Sequence, residues 1–167
     1  MTNDRNTPGH GPRMDLWKVA PEVYKGMSAF QAAAAEGLDP VIAELVKIRA
    51  SQLNKCAFCL DMHLTEARKA GESQLRLDLL DAWDESPGLY TEKEQAALAL
   101  TEAITSLDGG TPQGHFVPDE VYERAAEHFD EDELARLIAQ IIAINAWNRF
   151  QVTTRALPAS LRDGGGR

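Results

Sequence analysis

Four side chains carry the chemistry for which this sequence of 167 residues can be read: Glu44, Cys56, Cys59 and His63. The chain holds two cysteines, placed as Cys56-Ala-Phe-Cys59, with His63 after three further residues and Glu44 eleven residues before the first thiol. A thiol attacks as its thiolate, and a neighbouring imidazole can take the proton directly or through a water. A thiolate oxidised to sulfenic acid condenses with a second thiol to close a disulfide. Two thiols and a base at short spacing therefore point to redox chemistry at sulfur.

That chemistry needs elements that bring the groups together. Cys56 to about Ala70 is rich in helix formers, and Gly71 is a natural stop, so the spacing predicts a helix. Cys56 and Cys59 are then an i, i+3 pair and Cys59 and His63 an i, i+4 pair on one stripe. Cys56 and His63 are roughly 10 Å apart along the axis, too far for a direct hydrogen bond. The imidazole serves Cys59, which makes Cys59 the candidate nucleophile. Cys56, in the first turn and nearer the solvent end, is the candidate resolving thiol. The helix N-terminus favours a thiolate there when a reductant reopens the bridge.

Glu44 enters through periodicity. In the run from Asp39 to Leu53, Val41, Glu44, Leu45 and Ile48 share a face, which sets a carboxylate among residues expected to be buried. A buried carboxylate needs a partner. His63, or a hydrogen-bonded chain leading to it, would fill that need and be oriented as the third member of a triad orients its base. Blander readings stand beside this one. The cysteines can be two small packed residues, or half of a zinc site completed by His63 and Glu44, and Glu44 can be a carboxylate on the rim.

Glu44, eleven residues, Cys56-x-x-Cys59, three residues, His63 resembles the core motif of the alkylhydroperoxidase D-like (AhpD-like) proteins of the carboxymuconolactone decarboxylase superfamily. The later run Ile144-Asn-Ala-Trp-Asn-Arg149 resembles a segment of that group's final helix, and together the likeness spans about Pro21 to Arg155. The resemblance implies an antioxidant thiol peroxidase in which the second cysteine attacks the peroxide and the first resolves. It implies a helical domain of about six to seven helices, with the cysteine pair at the start of one, and assembly as trimers or hexamers. It departs at Phe58, where the best-known members carry a relay histidine. The implied proton route is then Glu44 to His63 to Cys59, or runs through water.

Composition narrows the field. With 17 basic and 26 acidic residues the formal charge is −9, which argues against a nucleic-acid groove or an anionic membrane surface as partner. No apolar run reaches membrane-spanning length and the start lacks a signal-peptide core, so a cytoplasmic protein is expected. Length suggests one domain over residues 14–157, between flexible tails at 1–13 and 158–167.

Along the chain the periodicity is helical throughout, with no strand alternation and no phosphate-binding glycine loop, so the fold class is all-α. Helices are expected over Pro21 to Glu36, from Asp39-Pro40 through Glu44, and over the cysteine segment. A short piece follows from Ser73 to Trp83. Thr91 and Glu94 form a capping box for a helix to about Leu107 with Ala97, Leu100, Ile104 and Leu107 inward. The next runs from Pro118 to Phe129 with Val121, Tyr122, Ala125, Ala126 and Phe129 inward, and the last from Asp130 or Asp132 to about Thr153. Between Leu137 and Trp147 that helix is apolar nearly all round, which places it centrally or in a subunit contact.

The loop from Asp108 to Val117 contains His115, whose one functional reading is a role at a neighbouring subunit's site. His10 reads as inert and His128 as a surface histidine. Trp147, Asn148 and Arg149 read as packing residues, and Asn145 as a buried amide that must find partners.

The reading that fits these residues is a thiol-dependent peroxidase for hydrogen peroxide or organic hydroperoxides. Cys59, Cys56, His63 and Glu44 do the work, no cofactor or metal is required, and a dithiol or protein reductant closes the cycle in a homo-oligomer. The rivals are lactone decarboxylation, against which the cysteine pair argues, and a non-enzymatic redox-sensing or metal-binding oligomeric module.

Overall fold

The computed structural model describes residues 11–107 and 116–162. His10, the loop residues 108–115 with His115, and residues 163–167 lie outside them. The described residues are helical: α1 (Leu16–Val19), α2 (Pro21–Ala35), α3 (Pro40–Leu53), α4 (Ala57–Lys69), α5 (Gln74–Leu79), a 3₁₀ helix (Leu80–Glu85), α6 (Glu92–Thr105), α7 (Asp119–His128), α8 (Glu131–Thr154) and α9 (Ala159–Arg162). Seven of the α-helices have six residues or more, as the all-α reading expects.

Local chemistry sets the boundaries. Asp39 accepts from the N–H groups of Val41 and Ile42 at 2.8 and 3.2 Å, with Pro40 at the first helical position of α3. Thr91 with Glu94 and Asp130 with Glu133 form reciprocal capping boxes at α6 and α8. After α4, Gly71 takes φ +90°, and the Gly71 and Glu72 N–H groups return to Arg68 and Ala67 at 3.0 Å each, closing a Schellman motif.

The junction between α3 and α4 matters most for the site. Lys55 adopts φ +56°, a left-handed conformation that favours glycine, and its N–H returns to Gln52 while that of Cys56 returns to Ser51. Cys56 thus ends one helix motif and begins the next. It is the N-cap of α4, with extended backbone, rather than a member of its first turn.

α3 and α8 form the centre. α3 packs against α4, α6 and α8, and α2 lies along α8. Leu137, Ile141 and Ile144 of α8 and Val46 and Ile48 of α3 are fully buried, so the all-apolar stretch of α8 is central as expected, although Ile142 is 47 % exposed. Several expected inward residues face out: Val41, Leu107, Tyr122 and Ala126 are exposed. Leu107 lies beyond the end of α6 at Thr105, and Val41, Tyr122 and Ala126 lie on the outer side of their helices. Residues 159–162, read from the sequence as part of a loose tail, form a helical turn on which Ser160 Oγ donates to Asp61 at 2.6 Å.

Two ion pairs on Arg76 join α5 to the start of α6 and to Glu72. Arg76 donates to Glu94 at 2.6 Å and to Glu72 at 2.9 Å, and Glu94 is buried. Burial alone would raise the Glu94 carboxyl, but the Arg76 guanidinium and the Thr91 N–H outweigh it and hold Glu94 below its ordinary value. A carboxylate lowered on folding contributes stability in full above its unfolded pKa and loses it as pH falls through the folded value. Glu94→Gln should therefore cost about 2 kcal/mol at neutral pH and flatten the loss of stability on acidification. Urea unfolding from pH 7 downward checks this, and a variant with the wild-type acid slope would contradict it.

Candidate active site

Cys56 and Cys59 are joined as a disulfide within the chain, their Cα atoms 5.4 Å apart. The Cys59 N–H points at Cys56 Sγ at 3.3 Å, so the sulfur fills the role of a capping oxygen and meets a helix N-terminus. Both cysteines are 1 % exposed, so Cys56 is not the more accessible thiol that the sequence suggested. The cause is its position between two helices, packed with Ala50 and Ile144. What distinguishes the two is the surface they face. Cys59 lines a cavity of about 460 Å³ and Cys56 does not.

His63 stands one turn beyond Cys59 on α4, is buried, and lines the same cavity. Its Nδ1 lies 3.2 Å from Glu44 Oε2, which gives the carboxylate of α3 the direct contact that periodicity anticipated. Nδ1 is committed to Glu44, and Nε2 is the nitrogen left for the cavity side. Glu44 Oε1 pairs with Lys47. Burial would raise the Glu44 carboxyl, but the hydrogen bond with His63 and the pairing with Lys47 together bring it below its ordinary value. The site therefore presents an anionic carboxylate behind an imidazole, with a sulfur in front.

The rest of the cavity is mostly apolar and aromatic. Trp17 of α1, Tyr24 of α2 and Trp147 of α8 close it, with Trp17 edge-on to Tyr24 at 5.5 Å and to Trp147 at 5.3 Å between ring centroids. Trp147 Nε1 donates to Gln31 Oε1 at 3.0 Å, which brings one amide of an alanine-rich helix into the wall. Trp17, Gln31 and Lys47 were not singled out in the sequence. Lys47 alone carried a signal, lying three residues after Glu44 on one helix face.

A second group of polar residues fixes the turn before Cys56. Asn54 donates to Asn145 and Asn148 at 2.8 and 2.9 Å, Asn145 donates to Thr105 at 2.9 Å, and Asn148 donates to Ser51 at 3.0 Å. These are the partners the buried Asn145 required. They bolt the α3–α4 junction to α8, so the Asn145 to Arg149 run positions the cysteine pair from behind. His128 lies at the end of α7, the element that packs on α6 and α8 and contributes nothing to this cavity. Among the described residues, no three His, Cys, Asp or Glu side chains converge as a metal site would require, and no helix is long and apolar enough to cross a membrane.

Comparison with known proteins gives the family. A sequence model of the carboxymuconolactone decarboxylase family matches residues 21–103, the span that carries Glu44, both cysteines and His63. The uncharacterized protein YdfG of Bacillus subtilis is 40 % identical over 141 residues, covering 84 % of this chain and 92 % of YdfG. The chain belongs to the carboxymuconolactone decarboxylase family. The uncharacterized protein YnjA of Escherichia coli is 37 % identical over 114 residues, 68 % of this chain and 58 % of its own length.

A crystal structure from Agrobacterium tumefaciens superposes with a TM-score of 0.82 at 36 % identity, over 89 % of this chain and 98 % of the other. It is of a protein of unknown function for which the role of antioxidant defence protein AhpD has been suggested. Within the family the chain is thus AhpD-like, with a CxxC pair at the start of α4. Phe58, at the position of the relay histidine of the better-known AhpD-like proteins, lines the cavity beside Cys59. Here Glu44 reaches His63 without an intermediary.

Proposed function

We propose that this AhpD-like protein is a thiol-dependent peroxidase that reduces hydrogen peroxide or small organic hydroperoxides. The observation that carries the reading is the convergence of Cys59 and His63 on one cavity, with His63 Nδ1 held by Glu44. The Cys59 thiol gives its proton to His63 Nε2, and the thiolate sulfur attacks the terminal peroxide oxygen. The O–O bond breaks, the alkoxide leaves with the electron pair and takes the proton from His63, and Cys59 becomes a sulfenic acid. Cys56 then attacks that sulfur, water departs, and the disulfide forms.

A dithiol or protein reductant closes the cycle. Since Cys59 is the sulfur facing the cavity, the reductant's thiolate attacks there, and Cys56 leaves as a thiolate stabilised by the Cys59 N–H and the helix N-terminus. A second thiolate of the reductant displaces Cys59 and carries away the two electrons' worth of oxidation as its own disulfide. No cofactor enters these steps.

Peroxide consumption measured with a panel of thiol reductants tests the proposal. Sustained turnover supports it. A single stoichiometric oxidation without recycling by any reductant would instead favour a redox sensor, and turnover of a carboxymuconolactone without peroxide reactivity would favour the decarboxylase.

The proposal extends to a cytoplasmic homo-oligomer. α2 leaves Val23 and Phe30 38–39 % exposed on an alanine-rich face, and α8 leaves Ile142 and Val152 47–48 % exposed, which is more apolar surface than a lone small domain needs to show. Light scattering at micromolar concentration should give the mass of a trimer or hexamer. The mass of a single chain would refute the assembly without touching the chemistry.

A further inference from the structure

We propose that Lys47 is a positioning residue of the site: it holds one oxygen of Glu44 so that the other faces His63 and the pair's proton stays on the imidazole. The inference rests on the peroxidase reading of the same site. Each carboxylate oxygen of Glu44 has its own partner, Oε2 the imidazole at 3.2 Å and Oε1 the Lys47 ammonium. The Lys47 side chain is only 11 % exposed, and an ammonium so enclosed requires a counter-charge. Lys47 lies one turn from Glu44 on α3, so the backbone that carries the carboxylate also carries its clamp.

The clamp acts from a separate side of the wall. Glu44 and Lys47 line a second cavity of about 700 Å³, and neither lines the cavity of Cys59 and His63. A peroxide beside Cys59 does not meet Lys47, so any effect of Lys47 passes through Glu44. Other charges that face this second cavity are committed elsewhere. Arg76 is taken by Glu72 and Glu94, and Glu66 of α4 pairs with Lys69. From α4 itself, His63 is the group that meets Glu44. Lys47 is therefore the permanent cation that faces this carboxylate, beside the imidazole of His63.

Its contribution follows from the step in which His63 holds the proton between thiol and alkoxide. A carboxylate aimed at Nδ1 stabilises that imidazolium, while a carboxyl that has rotated or taken up the proton does not. The lowered Glu44 carboxyl agrees with this role.

The test uses the full chain, reduced, as wild type, Lys47→Met and Lys47→Arg. Two readouts are taken over pH: the rate of a single oxidation by peroxide, and the titration of the Glu44 carboxyl by carbon NMR. Lys47→Met keeps the stem and removes the charge, and should slow oxidation about tenfold, the equivalent of one pK unit of lost charge interaction. It should also move both the acid limb of the rate and the Glu44 midpoint upward. Lys47→Arg keeps the charge and should restore most of the rate and return both midpoints.

A Lys47→Met protein with the wild-type rate overturns the proposal, as does one whose loss comes with an unmoved Glu44 titration or is not relieved by arginine. Should wild type itself fail to react with peroxide, the peroxidase reading falls, and the carboxyl titration still decides whether Lys47 governs Glu44.

Discussion

Cys59→Ser should abolish reaction with peroxide, while Cys56→Ser should still undergo one oxidation and stop, leaving on Cys59 a sulfenic acid that a trapping reagent captures. The asymmetry follows from what each sulfur faces. Cys59 opens to the cavity and stands one helical turn from His63, whereas Cys56 is enclosed between α3 and α4 with its Sγ turned to the Cys59 N–H. Serine is among the best N-cap residues, so Cys56→Ser keeps the start of α4 and the fold is not the variable. The effect on Cys59 is all or none because a serine hydroxyl beside an imidazole does not reduce a peroxide. In Cys56→Ser the first oxidation should run near the wild-type rate, with turnover lost for want of a resolving thiol. Single-turnover rates with a sulfenic-acid trap measure both. A Cys59→Ser protein that forms a trapped adduct on Cys56 at the wild-type rate would exchange the two roles.

Much of this site was legible in the sequence because its geometry is local. Cys56, Cys59 and His63 belong to one helix and its cap, so spacing alone fixes their stripe, and Glu44 was marked by a carboxylate on an apolar face. The same holds for the capping box at Thr91, where three residues of separation carry the whole signal, whereas at α8 the sequence left Asp130 and Asp132 both open and the structure uses Asp130.

What was not legible depends on neighbours distant in the chain. The cavity wall takes Trp17, Gln31 and Trp147 from three other helices, and no periodicity announces that an amide among alanines will meet an indole 116 residues later. The placement of Cys56 was missed for a different reason. The turn that buries it contains no glycine, and Lys55 adopts the left-handed conformation because the Asn54, Asn145 and Asn148 hydrogen bonds hold the junction against α8. Exposed Val41 and Tyr122 show the same limit: a helical stripe gives the direction of the core and not its width.

The proton route makes a second large and quantitative expectation. If His63 takes the thiol proton and Glu44 orients His63, then His63→Ala and Glu44→Gln should each slow the first oxidation by about 10²- to 10⁴-fold, the range of lost general-base assistance. Glu44→Gln is the more informative of the two. The amide keeps the shape of the side chain and can still accept from Nδ1–H, but it carries no charge to stabilise the imidazolium. Its loss therefore measures electrostatics rather than position. The double variant should lose far less than the product of the single losses, because a carboxylate whose only path to the thiol runs through the imidazole has nothing left to orient once that imidazole is gone.

Multiplicative losses would mean that Glu44 and His63 act independently, and the 3.2 Å contact between them would then be structural. Phe58 offers the complementary gain. Phe58→His would place a second imidazole beside Cys59 on the cavity wall, and a faster first oxidation that is lost in the Glu44→Gln background would show that a longer relay can be grafted onto this shorter one.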